Sequence, residues 1–225
     1  MADLVELILK KVKLFAYKNT NLRPPPDYPY MVEPTQLALL INELERLKKV
    51  KGNIAEIGVF RGMTTRFVCE YIKNQKIADT TYFAIDTFDS FTDQDVDFEV
   101  RKRGKKPGEI NSFAINDFDV WARNFSKFPF VNAIKADCAT VDYTHLSPMK
   151  LVFLDVDLYL PTKRTLPKLY DSLIGGGVIL VDDVKDKSMW DGAYHAYMEF
   201  CKEMDMAPEV IGNKCGVIRK PGSSH

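Results

Sequence analysis

The stretch Asn53-Ile54-Ala55-Glu56-Ile57-Gly58-Val59-Phe60-Arg61-Gly62-Met63-Thr64-Thr65 decides the fold. Asn53 to Gly58 is an apolar run of strand length, and Thr64 to Gln75 continues with helical periodicity, so the glycines between them mark a strand, a tight turn and a helix. Gly58 permits the turn, and Gly62 lets the helix start close to a ligand. Thr81 to Asp86, Val131 to Lys135, Leu151 to Asp155 and Val178 to Asp182 are runs of the same kind. Helical patterns lie between most of them, at Phe118 to Phe128 and at Thr162 to Leu173, the latter ending before Gly175-Gly176-Gly177. Strands buried on both faces and joined by helices predict a parallel sheet with right-handed crossovers. Beyond a helix at Trp190 to Met206, the pair Glu209 to Ile211 and Gly216 to Arg219 reads as an antiparallel hairpin. The expected fold is α/β and Rossmann-like. It is doubly wound, with a mostly parallel seven-stranded sheet, a C-terminal antiparallel hairpin and an N-terminal helical appendage.

Upstream, Leu4 to Phe15 reads as an amphipathic helix rather than a signal peptide, because Glu6, Lys10, Lys11 and Lys13 interrupt its apolar run and no small-residue cleavage site follows. No run approaches the ~18 apolar residues of a membrane span. Arg23 to Tyr30 is proline-rich and extended. Pro34-Thr35 opens a helix carrying Leu37, Leu40, Ile41, Leu44 and Leu47. Residues 1–34 are therefore expected to form a lid or a contact between copies of the chain, and residues 35–220 the functional domain. The charged segment Asp93 to Asn111, with Gly104, Pro107 and Gly108, is expected to be an exposed excursion near the site.

Basic and acidic residues each total 31, so the excess of positive charge that holds a phosphate backbone is missing, and a nucleic-acid substrate is disfavoured. Cys69, Cys138, Cys201 and Cys215 form no CxxC pair, which reads as reduced thiols in a cytoplasmic protein.

In an open α/β sheet, ligands bind beyond the carboxyl ends of the strands. There Glu56 precedes Gly58 by two residues and Gly62 follows four later, which is not the dinucleotide GxGxxG spacing. It resembles the first motif of class I S-adenosylmethionine-dependent methyltransferases. That ligand has no phosphate and carries a sulfonium and an ammonium group, which Glu56 would accommodate. Asp86 ends the second strand, where a carboxylate can accept from both ribose hydroxyls. Asp137, after the third strand, could accept from the adenine amine, or cap the next turn.

Val152-Phe153-Leu154-Asp155-Val156-Asp157-Leu158-Tyr159, then Gly176-Gly177 leading into Asp182-Asp183, together with the Glu56 to Gly62 motif and Asp86-Thr87-Phe88, resemble the macrocin O-methyltransferase family. The resemblance spans roughly Glu33 to Asp183. It implies methylation of sugar hydroxyls and a magnesium ion held by Asp155, Asp182 and Asp183. Val156 and Met63 stand where the family commonly has glycine, and the family's N-terminal lid is usually longer. Charge physics agrees with a metal, since several carboxylates at adjacent strand ends need protonation, basic partners or a cation. Magnesium suits hard oxygen ligands, while Lys185, Lys187 or Arg61 could neutralise the acids instead. A bound cation would lower the pKa of the acceptor hydroxyl. Asp157 is the candidate proton acceptor, with Asp155 or a hydroxide ion as alternatives. Tyr159 and Trp190 are candidate walls of the acceptor pocket, and His145 and His195 stay outside the mechanism.

The expected function is transfer of a methyl group from S-adenosylmethionine to a hydroxyl of a small molecule, a sugar or other diol, with a divalent cation. A metal-independent methyltransferase, a NAD(P)-dependent oxidoreductase and a non-catalytic Rossmann-like protein are the alternatives.

Overall fold

The computed structural model describes residues 2–20, 28–110 and 113–222. The chain divides into two compact units, Met1–Tyr30 and Met31–His225. Most of the proline-rich connector, residues 21–27, lies outside the described residues. The first unit holds helix α1 (Ala2–Asn19), a stretch free of glycine and proline. Among the described residues no helix is long and apolar enough to cross a membrane.

The second unit is built on strands β1 (Asn53–Ile57), β2 (Tyr82–Asp86), β3 (Val131–Lys135), β4 (Met149–Leu154), β5 (Leu173–Val181), β6 (Glu209–Ile211) and β7 (Cys215–Arg219). They form one sheet in the order β3-β2-β1-β4-β5-β7-β6. β1 to β5 run parallel, while β7 is antiparallel to both β5 and β6. This is the predicted sheet, hairpin included. Ala55, Ile57, Val152, Leu154, Ile179 and Val181 are fully buried, as expected of central strands covered on both faces. The strand order reverses between β1 and β4, which places the ligand crevice at their carboxyl ends.

Helix α2 (Pro34–Leu47) starts with a capping box between Glu33 and Gln36 and buries Leu40, Leu44 and Leu47 on one stripe. α3 (Met63–Asn74), α5 (Phe118–Phe125), α6 (Tyr159–Ser172) and α7 (Asp191–Glu203) follow the predicted segments. Two details differ from the sequence reading. β5 begins at Leu173 rather than Val178, and α6 runs directly into it. The glycine triplet is the irregular start of a strand, with Gly176 at φ +79° still donating its N–H to the Lys220 carbonyl. The charged segment after β2 is also not merely an excursion, because Asp93–Arg103 forms helix α4. Thr92 caps it through the Asp95 N–H, acids lie in its first turn and Arg101, Lys102 and Arg103 in its last, matching the helix dipole. Its buried face carries Asp95 and Glu99, so a hydrophobic period could not reveal it.

Candidate active site

Gly58 adopts φ +83°, and a Cβ there would lie 1.7 Å from the carbonyl oxygen of Asp155. The β1 turn thus touches the end of β4 directly, which only a residue without a side chain allows. Gly62, at φ +80°, is the N-cap of α3, and the space its side chain would need is filled by the Phe125 and Trp121 rings of α5. Asp86 accepts from the backbone N–H groups of Val59 (2.8 Å) and Phe60 (2.9 Å) with one oxygen and from Phe88 N–H (2.7 Å) with the other. It therefore holds the glycine turn in place while facing the cleft.

Glu56 is buried and also reaches the cleft. Its carboxylate accepts from the Thr65 hydroxyl at 2.5 Å and from the Tyr82 hydroxyl. Burial pushes its carboxyl up to about 7, against those two hydrogen bonds, which favour the charged form. Asp137 lies on the cleft wall and accepts from the Ala139 N–H at 2.9 Å, so it caps the turn after β3 from within the site.

At the ends of β4 and β5, Asp155, Asp157 and Asp183 each bring one oxygen within 4.8 Å of the others. Asp182 is not in that group. It is 3% exposed and accepts from Gln36 Nε2 at 2.7 Å, from the Asp183 N–H at 2.6 Å and from Lys214 Nζ at 3.1 Å. Lys214 Nζ also donates to Asp183 at 2.7 Å. Asp157 and Asp183 adopt φ +59° and +56°, a region costly for side-chain-bearing residues and more accessible to aspartate than to most. Burial, then the neighbouring acids, hold the carboxyls of Asp155 and Asp157 well above the usual carboxylate range. Burial raises Asp182 as well, with Asp183 adding to it and Lys214 opposing. Burial lowers Lys214, but the two acids together hold its ammonium above its ordinary value. Lys185, Lys187 and Arg61 are exposed, and among the described residues the basic group paired with Asp182 and Asp183 is Lys214.

A cleft of about 210 Å³ lies at these strand ends and opens to solvent at its mouth. Phe60, Phe91, Phe113 and Trp190 form one wall, with ring centroids 5.0–6.0 Å apart. Tyr159 stacks instead on Phe98 of α4. Its N–H is accepted by the buried Glu99 at 2.8 Å, so α4 anchors the turn that follows Asp157. His145 pairs with Asp142 on the surface, and His195 contacts Arg103.

The sequence model of the macrocin O-methyltransferases (TylF) matches residues 23–217. The chain belongs to this family. Members of the macrocin O-methyltransferase family are S-adenosylmethionine-dependent enzymes. A curated relative, demethyldecarbamoylnovobiocin O-methyltransferase of Streptomyces niveus, is 26% identical over 168 residues, which cover 72% of this chain and 63% of the relative. The chain thus spans less than two thirds of that relative's length. The structure of the O-methyltransferase NovP matches with a TM-score of 0.69 at 21% identity, over 88% of this chain and 84% of that one. The calicheamicin methyltransferase CalS11 matches at 0.65 and 14%, over 93% and 90%. Both show a shared fold. Sequence reasoning missed Phe91 and Phe113 of the cleft wall, and it missed two residues that hold the acids, Gln36 and Lys214. Neither belongs to a strand-end motif, and only the capping position of Gln36 hinted at a constrained side chain.

Proposed function

We propose that this protein transfers the methyl group of S-adenosylmethionine to a hydroxyl of a small molecule, a sugar or other diol of a natural product, with help from a divalent cation. The charge of the cleft carries this reading: among the described residues, eight carboxylates line it against two basic side chains, Arg61 and Lys214. Such a wall suits a cationic sulfonium and ammonium ligand and disfavours the pyrophosphate of a dinucleotide. Asp86 would accept from the ribose hydroxyls, Asp137 would face the adenine, and Glu56 would offset the ammonium. Hard oxygens from Asp155, Asp157 and Asp183, with one ammonium to balance them and Asp182, fit a magnesium ion by charge and donor type. Bound there, the ion would acidify the acceptor hydroxyl. Asp157 would take the proton, and the turn anchored by Glu99 would keep its carboxylate aimed at the acceptor. The aromatic wall supports an acceptor with an apolar face, and the names of the relatives, a novobiocin precursor methyltransferase and a calicheamicin methyltransferase, support a natural product. Four free, buried cysteines support a cytoplasmic location.

Incubation with methyl-labelled S-adenosylmethionine and a panel of glycosylated acceptors tests the activity. Label appearing in an ether on the acceptor is expected. Tight calorimetric binding of NAD with none of S-adenosylmethionine would overturn it.

Asp86→Ala is expected to weaken S-adenosylmethionine binding by about 1.5–3 kcal/mol, because the ribose loses a charged acceptor and the glycine turn loses its tether. Calorimetry reads this directly, and unchanged affinity would reject the assignment. Glu56 makes the same binding proton-linked. Burial holds the Glu56 carboxyl up to about 7, and a bound ammonium would favour its charged form, so a proton would leave when the ligand binds below that pH. Affinity should fall up to about tenfold per unit as pH drops below about 7 and level off above it. Glu56→Gln should flatten this profile.

The N-terminal helix would mediate contacts between copies of the chain. Its stripe of Leu4, Leu7, Ile8 and Phe15 is too apolar to favour exposure to water. Deleting Met1 to Lys18 should therefore change the oligomeric state in light scattering. An unchanged, equally stable species would show that the helix is dispensable.

A further inference from the structure

Lys214 stands in the turn of the β6–β7 hairpin, and its backbone carbonyl accepts from the Val184 N–H at 2.8 Å, just past the acid pair. Its ammonium reaches the cleft, 2.7 Å from Asp183 and 3.0–3.1 Å from the two oxygens of Asp182. Gln36 holds Asp182 from the side of α2, so Asp182 is an anchor, whereas Asp183 belongs both to the lysine and to the group formed with Asp155 and Asp157. We propose that Lys214 is the resident counter-cation of this acidic cluster and competes with a divalent ion for Asp183. The inference rests on the reading of the cluster as a cation site. A divalent ion held by the three converging carboxylates would sit beside the ammonium and repel it at short range. Loading would loosen the Lys214–Asp183 contact and leave the lysine on Asp182. Without the ion, the lysine keeps four crowded acids from facing one another uncompensated. The hairpin thereby sets how tightly the site takes its metal.

Mn²⁺ serves as the probe, titrated into the full chain and followed by electron paramagnetic resonance. Lys214→Gln is expected to bind Mn²⁺ at least about tenfold more tightly than the wild type, and Lys214→Arg, which keeps the charge, within about threefold of it. In chelator, Lys214→Gln should also melt lower than the wild type and gain more from added Mn²⁺. Equal or weaker Mn²⁺ binding by Lys214→Gln would overturn the proposal. Lys214→Met, read the same way, serves if the glutamine variant does not fold. A wild type that ignores Mn²⁺ would count against the metal reading by itself. If Lys214→Gln then binds the ion, the lysine is shown to hold the site, and if both are silent the proposal falls as well.

Discussion

Asp155→Asn is expected to lower turnover by about three orders of magnitude or more while S-adenosylmethionine binding stays within about threefold. Asp155 is, with Asp183, one of the two acids common to the ligand set implied by the family and to the carboxylates that converge in the structure. An amide preserves the shape of the side chain and removes the charge that holds a cation. Glu56 and Asp86, which would bind the cofactor, reach the cleft from β1 and β2 and do not depend on it. Chelator should reproduce the loss in the wild type, and added magnesium should reverse it there. Asp182→Asn then separates the two ligand sets. A loss rescued by excess magnesium would place Asp182 in the shell of the ion, whereas a loss that magnesium does not rescue would mark it as the anchor of Lys214 and Gln36. Full activity of Asp155→Asn, or of the wild type in chelator, would leave a metal-independent methyltransferase with a carboxylate base.

The second large effect belongs to Gly58. A side chain there would run into the Asp155 carbonyl, 1.7 Å from the Cβ position, on a backbone at φ +83°. Gly58→Val combines that collision with left-handed strain, and about 3–5 kcal/mol of stability should be lost, with cofactor binding abolished in whatever remains folded. Urea denaturation and calorimetry measure the two losses separately. A variant as stable as the wild type would mean that β1 and β4 can part at this point without cost. The contact is part of the site, because moving β4 to make room would move Asp155 with it.

Much of the fold was legible because its determinants are local. Helical period-3.6 patterns, together with the glycines after β1, mark where helices begin, and buried parallel strands show as unbroken apolar runs such as Leu151 to Leu154. The start of β5 was not legible, because Gly175-Gly176-Gly177 has breaker composition and pairs only through neighbours such as Lys220. α4 was hidden for a related reason, since its buried face is polar and satisfied by partners distant in the chain, as Glu99 is by the Tyr159 N–H.

The sequence by itself determined that acids stand at the carboxyl ends of β1, β2, β4 and β5, since strand ends and motif spacing are read along the chain. Only the tertiary structure decided which of those acids meet. Asp157 and Asp183 turn toward Asp155 through left-handed backbone conformations. Asp182 is drawn off by Gln36, 146 residues away, and by Lys214 across a hairpin. A buried carboxylate such as Asp182 needs partners that offset its charge, and those partners are brought together by the folding of the whole sheet, so no local pattern could reveal them.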